Sequence, residues 1–407
     1  MKNVYIINSS SVGADYGIGT YIRQISEYIN SADINLTFVH LYSKEKAFSV
    51  KTRRAIRYID IPGATFPSTY NPEKAYNRYC RNIAFLLMPY VDNSQENIFH
   101  LNFINQYHLA YELKQRFNCK LFLTVHYFEW AFSLNGNREK LQTILQRRNE
   151  TADHLEKKII SSVDAEIKLF NLCDRIIAVA HHTADTLITI YGIASSKIAV
   201  LHNALSDRYH PQTENEKMQL KRRLYINDKE KIILFVGRLQ KIKGSCFLLE
   251  FFRALLKKRT DVRLIIVGWG GEIQTQIQNA HSIWAKVTFT GFMEQADLDK
   301  LYRIADIGIV PSIYEEFGYV AIEMMMYNIP VFVNNTSGLK EIMQNNPFNT
   351  FNIQEVDCAP RLASKINRLL SNEAKRAVIA QKCRNLYKKR FDYPLWRKKL
   401  LKLYLSR

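Results

Sequence analysis

The sequence predicts an α/β protein of two domains built on parallel sheets. Short apolar runs of β character alternate with segments of helical period along most of the chain, the pattern of strand–helix–strand units. The chain has 407 residues, more than one hydrophobic core ordinarily organises. A charged stretch poor in apolar residues, 210–231 with ENEKMQLKRR inside it, separates two such series.

The first series opens with a strand at 4–7 and a helix over 20–29. Strands at 36–40, 121–125 and 175–179 follow, then a helix over about 182–191. Residues 41–100 show little periodicity, and GATFPSTYNP within them has the composition of a loop. The domain junction is expected at 203–207, just ahead of the charged stretch.

The second series begins with a strand at 232–236. Phe247, Leu248, Phe251, Leu255 and Leu256 then mark a helix face. Strands at 264–267 and 287–290, a helix over 297–304, and strands at 307–310 and 331–333 complete it. The segment 374–407 reads as helical and basic, broken at Asp392-Tyr393-Pro394. Beyond the break Trp396, Leu400, Leu403 and Tyr404 fall on one face.

The composition, 47% hydrophobic and 23% charged, is that of a globular protein. No stretch approaches the roughly 20 apolar residues of a membrane-spanning helix. The start, MKNVYIINSSS, lacks the apolar length and cleavage site of a signal peptide, so a cytoplasmic protein is expected. The six cysteines form no CxxC pair and no zinc spacing, and are expected to be small buried hydrophobes. A net charge of +19 asks for an anionic partner. No nucleic-acid module is present, which argues against nucleic acid. A phosphate-bearing substrate remains, as does peripheral contact of basic clusters such as 51–54 with an anionic inner membrane face.

Chemistry concentrates in IGIVPSIYEEFGYVAIEMMMYNIPVFVNNTSGLKEIM, residues 307–343. A strand ends at Pro311-Ser312, a loop brings Glu315 and Glu316, Gly318 follows, and a helix carries Glu323. A loop between a parallel strand and a helix N-terminus is where α/β proteins bind ligands, and free backbone N–H groups there suit phosphate. Two such carboxylates can face the hydroxyls of one ligand. Glu316 reads as a solvated neighbour and Met324, Met325 and Met326 as core. Asp297-Leu-Asp299 has a metal-site spacing, but inside a helix the two acids do not share a face, so it reads as an acidic first turn.

Glu315-x7-Glu323 with Phe317-Gly318 between resembles the E-x7-E motif of retaining GT-B glycosyltransferases, specifically glycosyltransferase family 4. Three further segments resemble the same family in the same chain order. FVGRLQKIKG, residues 235–244, is similar to its G-R-L-x-x-x-K-G element. GADYGIGTY, 13–21, is similar to its G-G-I-G-R-Y loop, with Tyr16 where the first glycine would stand, and lacks the GxGxxG spacing of an NAD fold. Leu123-Thr-Val-His126 puts a histidine at a strand end, like the family's histidine near the transferred sugar. Before the junction the family often reads N-G-I/V-D where this chain has His202-Asn203-Ala204-Leu205, so no role is carried onto it.

The resemblance implies a GT-B fold, two Rossmann-like α/β domains with parallel sheets facing a central cleft. Residues 1–205 would be the acceptor domain, joined by a crossover helix over about 384–407, and 206–383 the donor domain. It implies a nucleotide-diphosphate sugar donor, a glycan, lipid-linked or peptide acceptor, retention of configuration, and no cofactor or metal. Arg238 and Lys243 would bind the diphosphate and stabilise the leaving group, and Glu315 would hold the sugar. Glu323 would hold the ribose, with Phe317, Gly318, Tyr319 and Val320 at the donor. His126 would lie beside the reacting sugar, and Gly17, Ile18 and Gly19 would form a loop on the acceptor side. Two other functions share the fold: a silent nucleotide-sugar-binding scaffold and a nucleotide-sugar epimerase. Outside this context the same residues are ordinary helix-end acids, surface cations and a strand-end histidine.

Overall fold

A computed structural model describes residues 2–9, 17–28, 33–64, 71–148, 150, 153–344 and 346–406. The chain divides into two compact units, Met1–Asn203 together with Tyr393–Arg407, and Ala204–Asp392. Residues 384–392 therefore lie in the second unit, and only the helix Tyr393–Leu405 returns to the first.

The first unit is built on an eight-stranded sheet: β1 (Lys2–Ser9), β2 (Ile34–Ser43), β3 (Ser49–Arg53), β4 (Ile56–Pro62), β5 (Asn97–Leu101), β6 (Cys119–Val125), β7 (Arg175–Ala178) and β8 (Ile198–Val200). Their spatial order is β3-β4-β2-β1-β5-β6-β7-β8, parallel except for the antiparallel β3–β4 edge. The central strands are apolar on both faces, as a sheet covered by helices requires; all five residues of β5 are buried. Helices begin where local chemistry favours them. Asn71 caps Pro72–Leu87 by accepting from the N–H groups of Glu73 and Lys74, with Pro72 in the first turn. The expected loop at 63–72 thus ends in a helix start, and its residues 65–70 lie outside the described residues.

The returning helix is keyed into this sheet. Trp396, Leu400 and Tyr404 are buried, as the apolar face predicted, while Leu403 is half-buried. The Tyr404 hydroxyl meets Nδ1 of the buried His100 at 2.6 Å. His100 Nε2 lies 2.7 Å from the Thr124 hydroxyl, which lies 3.0 Å from that of Tyr21.

The second unit carries six parallel strands: β9 (Lys231–Val236), β10 (Val262–Val267), β11 (Val287–Gly291), β12 (Ile307–Val310), β13 (Val331–Asn334) and β14 (Thr350–Phe351). The order β11-β10-β9-β12-β13-β14 is the 3-2-1-4-5-6 winding of a Rossmann sheet. Its direction of travel reverses between β9 and β12, which pair side by side. The charged stretch expected at the junction contains the helix Glu214–Arg223, with Thr213 and Glu216 forming a capping box.

Several details depart from the sequence reading. Helix Ser245–Leu256 buries Leu248, Leu249, Phe251, Phe252 and Leu255, so Phe247 and Leu256 sit at the border of its face. Cys246 is exposed on this helix and Cys119 half-buried, whereas the other four thiols are buried as expected. Met324, Met325 and Met326 are fully buried. Met324 packs so tightly on β12 that a Cβ at Gly308 would come 2.3 Å from its sulfur. Among the described residues no helix is long and apolar enough to cross a membrane.

Candidate functional site

Every site residue expected in the second unit follows either β9 or β12, the two strands that flank the reversal. Such a point opens a crevice at the carboxyl ends of the strands because consecutive connections leave to opposite faces. After β9 the chain runs through Arg238 into a short 3-10 turn, Lys241–Lys243. Gly244 then takes φ +71°, and a Cβ there would meet the Pro311 carbonyl oxygen at 2.0 Å. Only glycine lets the backbone turn this close to the end of β12. The contact sets Lys243 beside the carboxylate loop, and the Ile313 N–H donates to the Ile242 carbonyl at 2.8 Å.

Lys243 and Glu315 form an ion pair at 2.5 Å, their side chains only 20% and 18% exposed. The Ser312 hydroxyl donates to the same Glu315 oxygen at 2.9 Å. Backbone contacts fix the loop from a third strand. The Glu315 N–H donates to the Ser337 hydroxyl and the Gly338 N–H to the Glu315 carbonyl, while Asn334 donates to the Ser312 carbonyl. A Cβ at Gly338 would lie 2.4 Å from the Glu316 carbonyl oxygen, so this approach too depends on glycine. Glu316 itself, expected to be solvated, is 7% exposed and accepts from the Tyr314 hydroxyl at 2.7 Å. The loop folds inward over it.

Gly318, at φ +111°, caps the helix Tyr319–Met326, so the N–H groups of Tyr319 and Val320 belong to its first turn. First-turn N–H groups lack intrahelical acceptors and carry the positive end of the helix dipole. Phe317 is buried against Tyr319 and Phe391. Glu323, one turn further, is 8% exposed and accepts from the buried Tyr302 hydroxyl at 2.6 Å. Burial, and then the Glu323 charge, push the Tyr302 hydroxyl pKa well up, so it stays a donor. Arg208 adds a cation near Glu323 and pairs with Asp299 at 3.5 Å. Asp297 points elsewhere, to Lys300 at 2.7 Å. The two acids of the DxD sequence are thus engaged by separate cations.

The first unit holds the remaining residues at its own reversal, between β1 and β5. Gly17, Ile18 and Gly19 form the first turn of the helix Gly17–Tyr28, which starts three residues earlier than expected. Gly13 and Tyr16 lie outside the described residues. His126 follows β6 directly, with Nε2 at 3.1 Å from the Asn102 side-chain oxygen and its ring edge-on to Tyr21 at 4.7 Å. Part of its surface stays exposed, but the surrounding protein, followed by the neighbouring His100, holds its pKa down to about 3.

The structure therefore brings Lys243, Glu315 and the start of the 319–326 helix together in one unit and places His126 with the 17–19 turn in the other. Sequence reasoning missed Ser312, Ser337, Gly338, Tyr302, Arg208 and Asn102. Thr336-Ser-Gly338 after β13 repeats the strand–loop–helix placement of Gly318 and was the one available signal.

Comparison with known proteins follows the same division. Residues 16–208 match the family described as "Glycosyltransferase Family 4", and residues 216–386 the one described as "Glycosyl transferases group 1". Spore coat protein SA of Bacillus subtilis is 27% identical over 259 residues, covering 60% of this chain and 68% of that protein. The match spans less than half the length of the next two curated relatives. Among solved structures, a sucrose-phosphate synthase from Thermosynechococcus elongatus superposes with a TM-score of 0.74 at 19% identity, over 99% of this chain and 98% of its own. HepE from Anabaena, solved in complex with UDP, gives 0.72 at 16% identity over 99% of both chains. Both likenesses are of fold: two α/β Rossmann-like domains.

Proposed function

We propose that this chain, which belongs to the GT-B glycosyltransferases of family 4, moves a sugar from a nucleotide-diphosphate donor to an acceptor with retention of configuration. The observation that carries the reading is the meeting of Lys243, from the loop after β9, with Glu315, from the loop after β12, at the reversal of the second sheet. A cation for phosphate and an acid for hydroxyls are there held in one place.

In this reading the second unit takes the donor. Arg238 and Lys243 neutralise the diphosphate, assisted by the N–H groups around Gly318 to Val320. The diphosphate competes with Glu315 for Lys243, and the carboxylate it frees accepts from the sugar hydroxyls. Glu323, steadied by Tyr302, holds the ribose. His126 contacts the transferred sugar, and the turn at Gly17, Ile18 and Gly19 serves the acceptor. The bond from the anomeric carbon to the phosphate oxygen breaks. The acceptor oxygen attacks on the same face, and the departing phosphate oxygen takes its proton. Charge on the leaving group falls to Arg238 and Lys243, so the scheme needs no metal. HepE, of the same fold, is seen with UDP and with UDP-glucose, which supports a nucleotide-sugar donor. The acceptor class stays that of a glycan, lipid-linked or peptide substrate. The exposed basic edge at 53–54 suits contact with anionic lipid at the cytoplasmic face.

The test replaces Arg238 or Lys243 with Ala and follows donor consumption with and without acceptor. Loss of one charge-stabilising donor is expected to lower the rate about 100-fold or more. Full activity in both variants removes the mechanism. A donor that binds and is never consumed points instead to a scaffold. An epimerised donor without acceptor points to an epimerase.

A further inference from the structure

Asn102 follows β5 and is 1% exposed. Its side-chain nitrogen donates to the Ile7 carbonyl at 3.2 Å and to the His100 carbonyl at 3.4 Å. These two acceptors decide which way the amide faces. Turned over, it would set its own oxygen against two carbonyl oxygens in a buried place, and both carbonyls would lose a donor. The amide oxygen therefore faces away from them, where it lies 3.1 Å from Nε2 of His126.

An amide oxygen only accepts, so Nε2 of His126 must carry a proton. A neutral imidazole protonated at Nε2 has a bare lone pair at Nδ1. Burial, and then His100, keep the ring neutral by depressing its pKa to about 3. Tyr21, at an interplanar angle of 72°, fixes the plane in which that lone pair points. Among the described residues Nδ1 has no hydrogen-bond partner.

We propose that Asn102 is a positioning residue that holds His126 as the Nε2–H tautomer, so that Nδ1 accepts a hydrogen bond from a sugar hydroxyl. Only the ligand in this statement rests on the glycosyltransferase reading; the tautomer follows from the hydrogen bonds of the first unit alone. His126 then acts as a one-way acceptor. It selects a group that can donate, and an O-methylated sugar at the contacted position fills the space without satisfying it.

The tautomer is measurable on the free protein. In the full chain labelled with 15N at its ten histidines, long-range proton–nitrogen correlations separate a protonated from a bare ring nitrogen. The His126 signal is identified by its loss in His126→Phe. Between about pH 6 and 8, Nε2 is expected to be protonated and Nδ1 bare. An Nδ1–H ring, or a doubly protonated one, overturns the proposal. Asn102→Leu is expected to give a mixture of tautomers and to lower kcat/KM about tenfold. Where Leu prevents folding, Asn102→Thr serves, because a hydroxyl can donate as well as accept. A ring that stays wholly Nε2–H in the folded variant overturns the role of Asn102. A chain with this tautomer that consumes no donor keeps the inference and loses the function proposed above. One that turns over donor with Nδ1–H does the reverse.

Discussion

The two units wind their sheets alike, yet they set different polar groups beside the reversal. In the first unit burial favours neutral forms: beside the reversal it holds His100 and His126 down to about 3, and away from it, on the helix His154–Leu172, it lifts Glu166 to about 7. In the second unit Lys243 pairs with Glu315 at the reversal, and elsewhere Arg376 pairs with Asp306 and Arg384 with Asp207. Neutral hydrogen bonds hold orientation with little field; ion pairs store a field that an incoming anion can exchange. On the proposed function, the difference fits a second unit that receives a diphosphate.

That contrast is open to attack through pH and substitution. The largest effect should come from acid. A histidine whose folded pKa is depressed contributes stability above its ordinary 6.5, and that stability drains as pH falls toward about 3. The first unit is expected to lose on the order of 5 kcal/mol across this window, ahead of the second; calorimetry at stepped pH would show two transitions separating. A single transition that stays cooperative down to pH about 4 would break the comparison. Next, Asp306→Ala leaves the half-buried Arg376 with only the exposed Glu373, and the Ile232 N–H without its acceptor. About 3 kcal/mol should be lost from the second unit, read by urea denaturation, with the first unit's transition unmoved.

Glu166 sharpens the contrast from the alkaline side. Burial raises it from 4.5 to about 7, against hydrogen bonds from Tyr191 and Ser162. An acid with a raised folded pKa gives stability that is complete below 4.5 and gone once pH passes about 7. Glu166→Gln should therefore stabilise the first unit at pH 8 by about 2 kcal/mol and do nothing at pH 4. The smallest effect belongs to Asp207. Burial would raise it, but Arg384 and Lys388 outweigh that and bring it to about 2. Its contribution is present above 3.8 and lost toward pH 2. After solvent screening, Asp207→Asn should remove about 1 kcal/mol at neutral pH and flatten acid unfolding of the second unit.

Much of the second unit was legible because its strands are continuous apolar runs and its site residues sit where those runs end. Val331–Asn334, Ile307–Val310 and Lys231–Val236 all show this. The first unit was harder between residues 41 and 100 for a physical reason. The β3–β4 hairpin turns at Arg54 and Ala55, both at positive φ (50° and 64°), without the Asn-Gly or Gly that usually marks such a turn. Its outer strand carries Lys51 and Arg53, which read as a charge cluster and in fact lie on the sheet's edge, where charge discourages pairing with another chain. Glu315 and Glu323 stood out through a strand–loop–helix context that resembles the E-x7-E motif, whereas Tyr302, Ser337 and Asn102 had no such signal. Their roles depend on contacts between segments far apart in sequence, and no local period records such contacts.

The returning helix has a consequence for how the polypeptide is made. Tyr404 completes the hydrogen bonding of His100, 304 positions earlier, so the first unit cannot reach its final state until the chain through Tyr404 has left the ribosome. Until Trp396, Leu400 and Tyr404 are made, an open slot waits beside β5 and β6. A chaperone that shields apolar surface would find its substrate there, and a nonsense mutation before Tyr393 would injure the first unit by removing the helix that completes it.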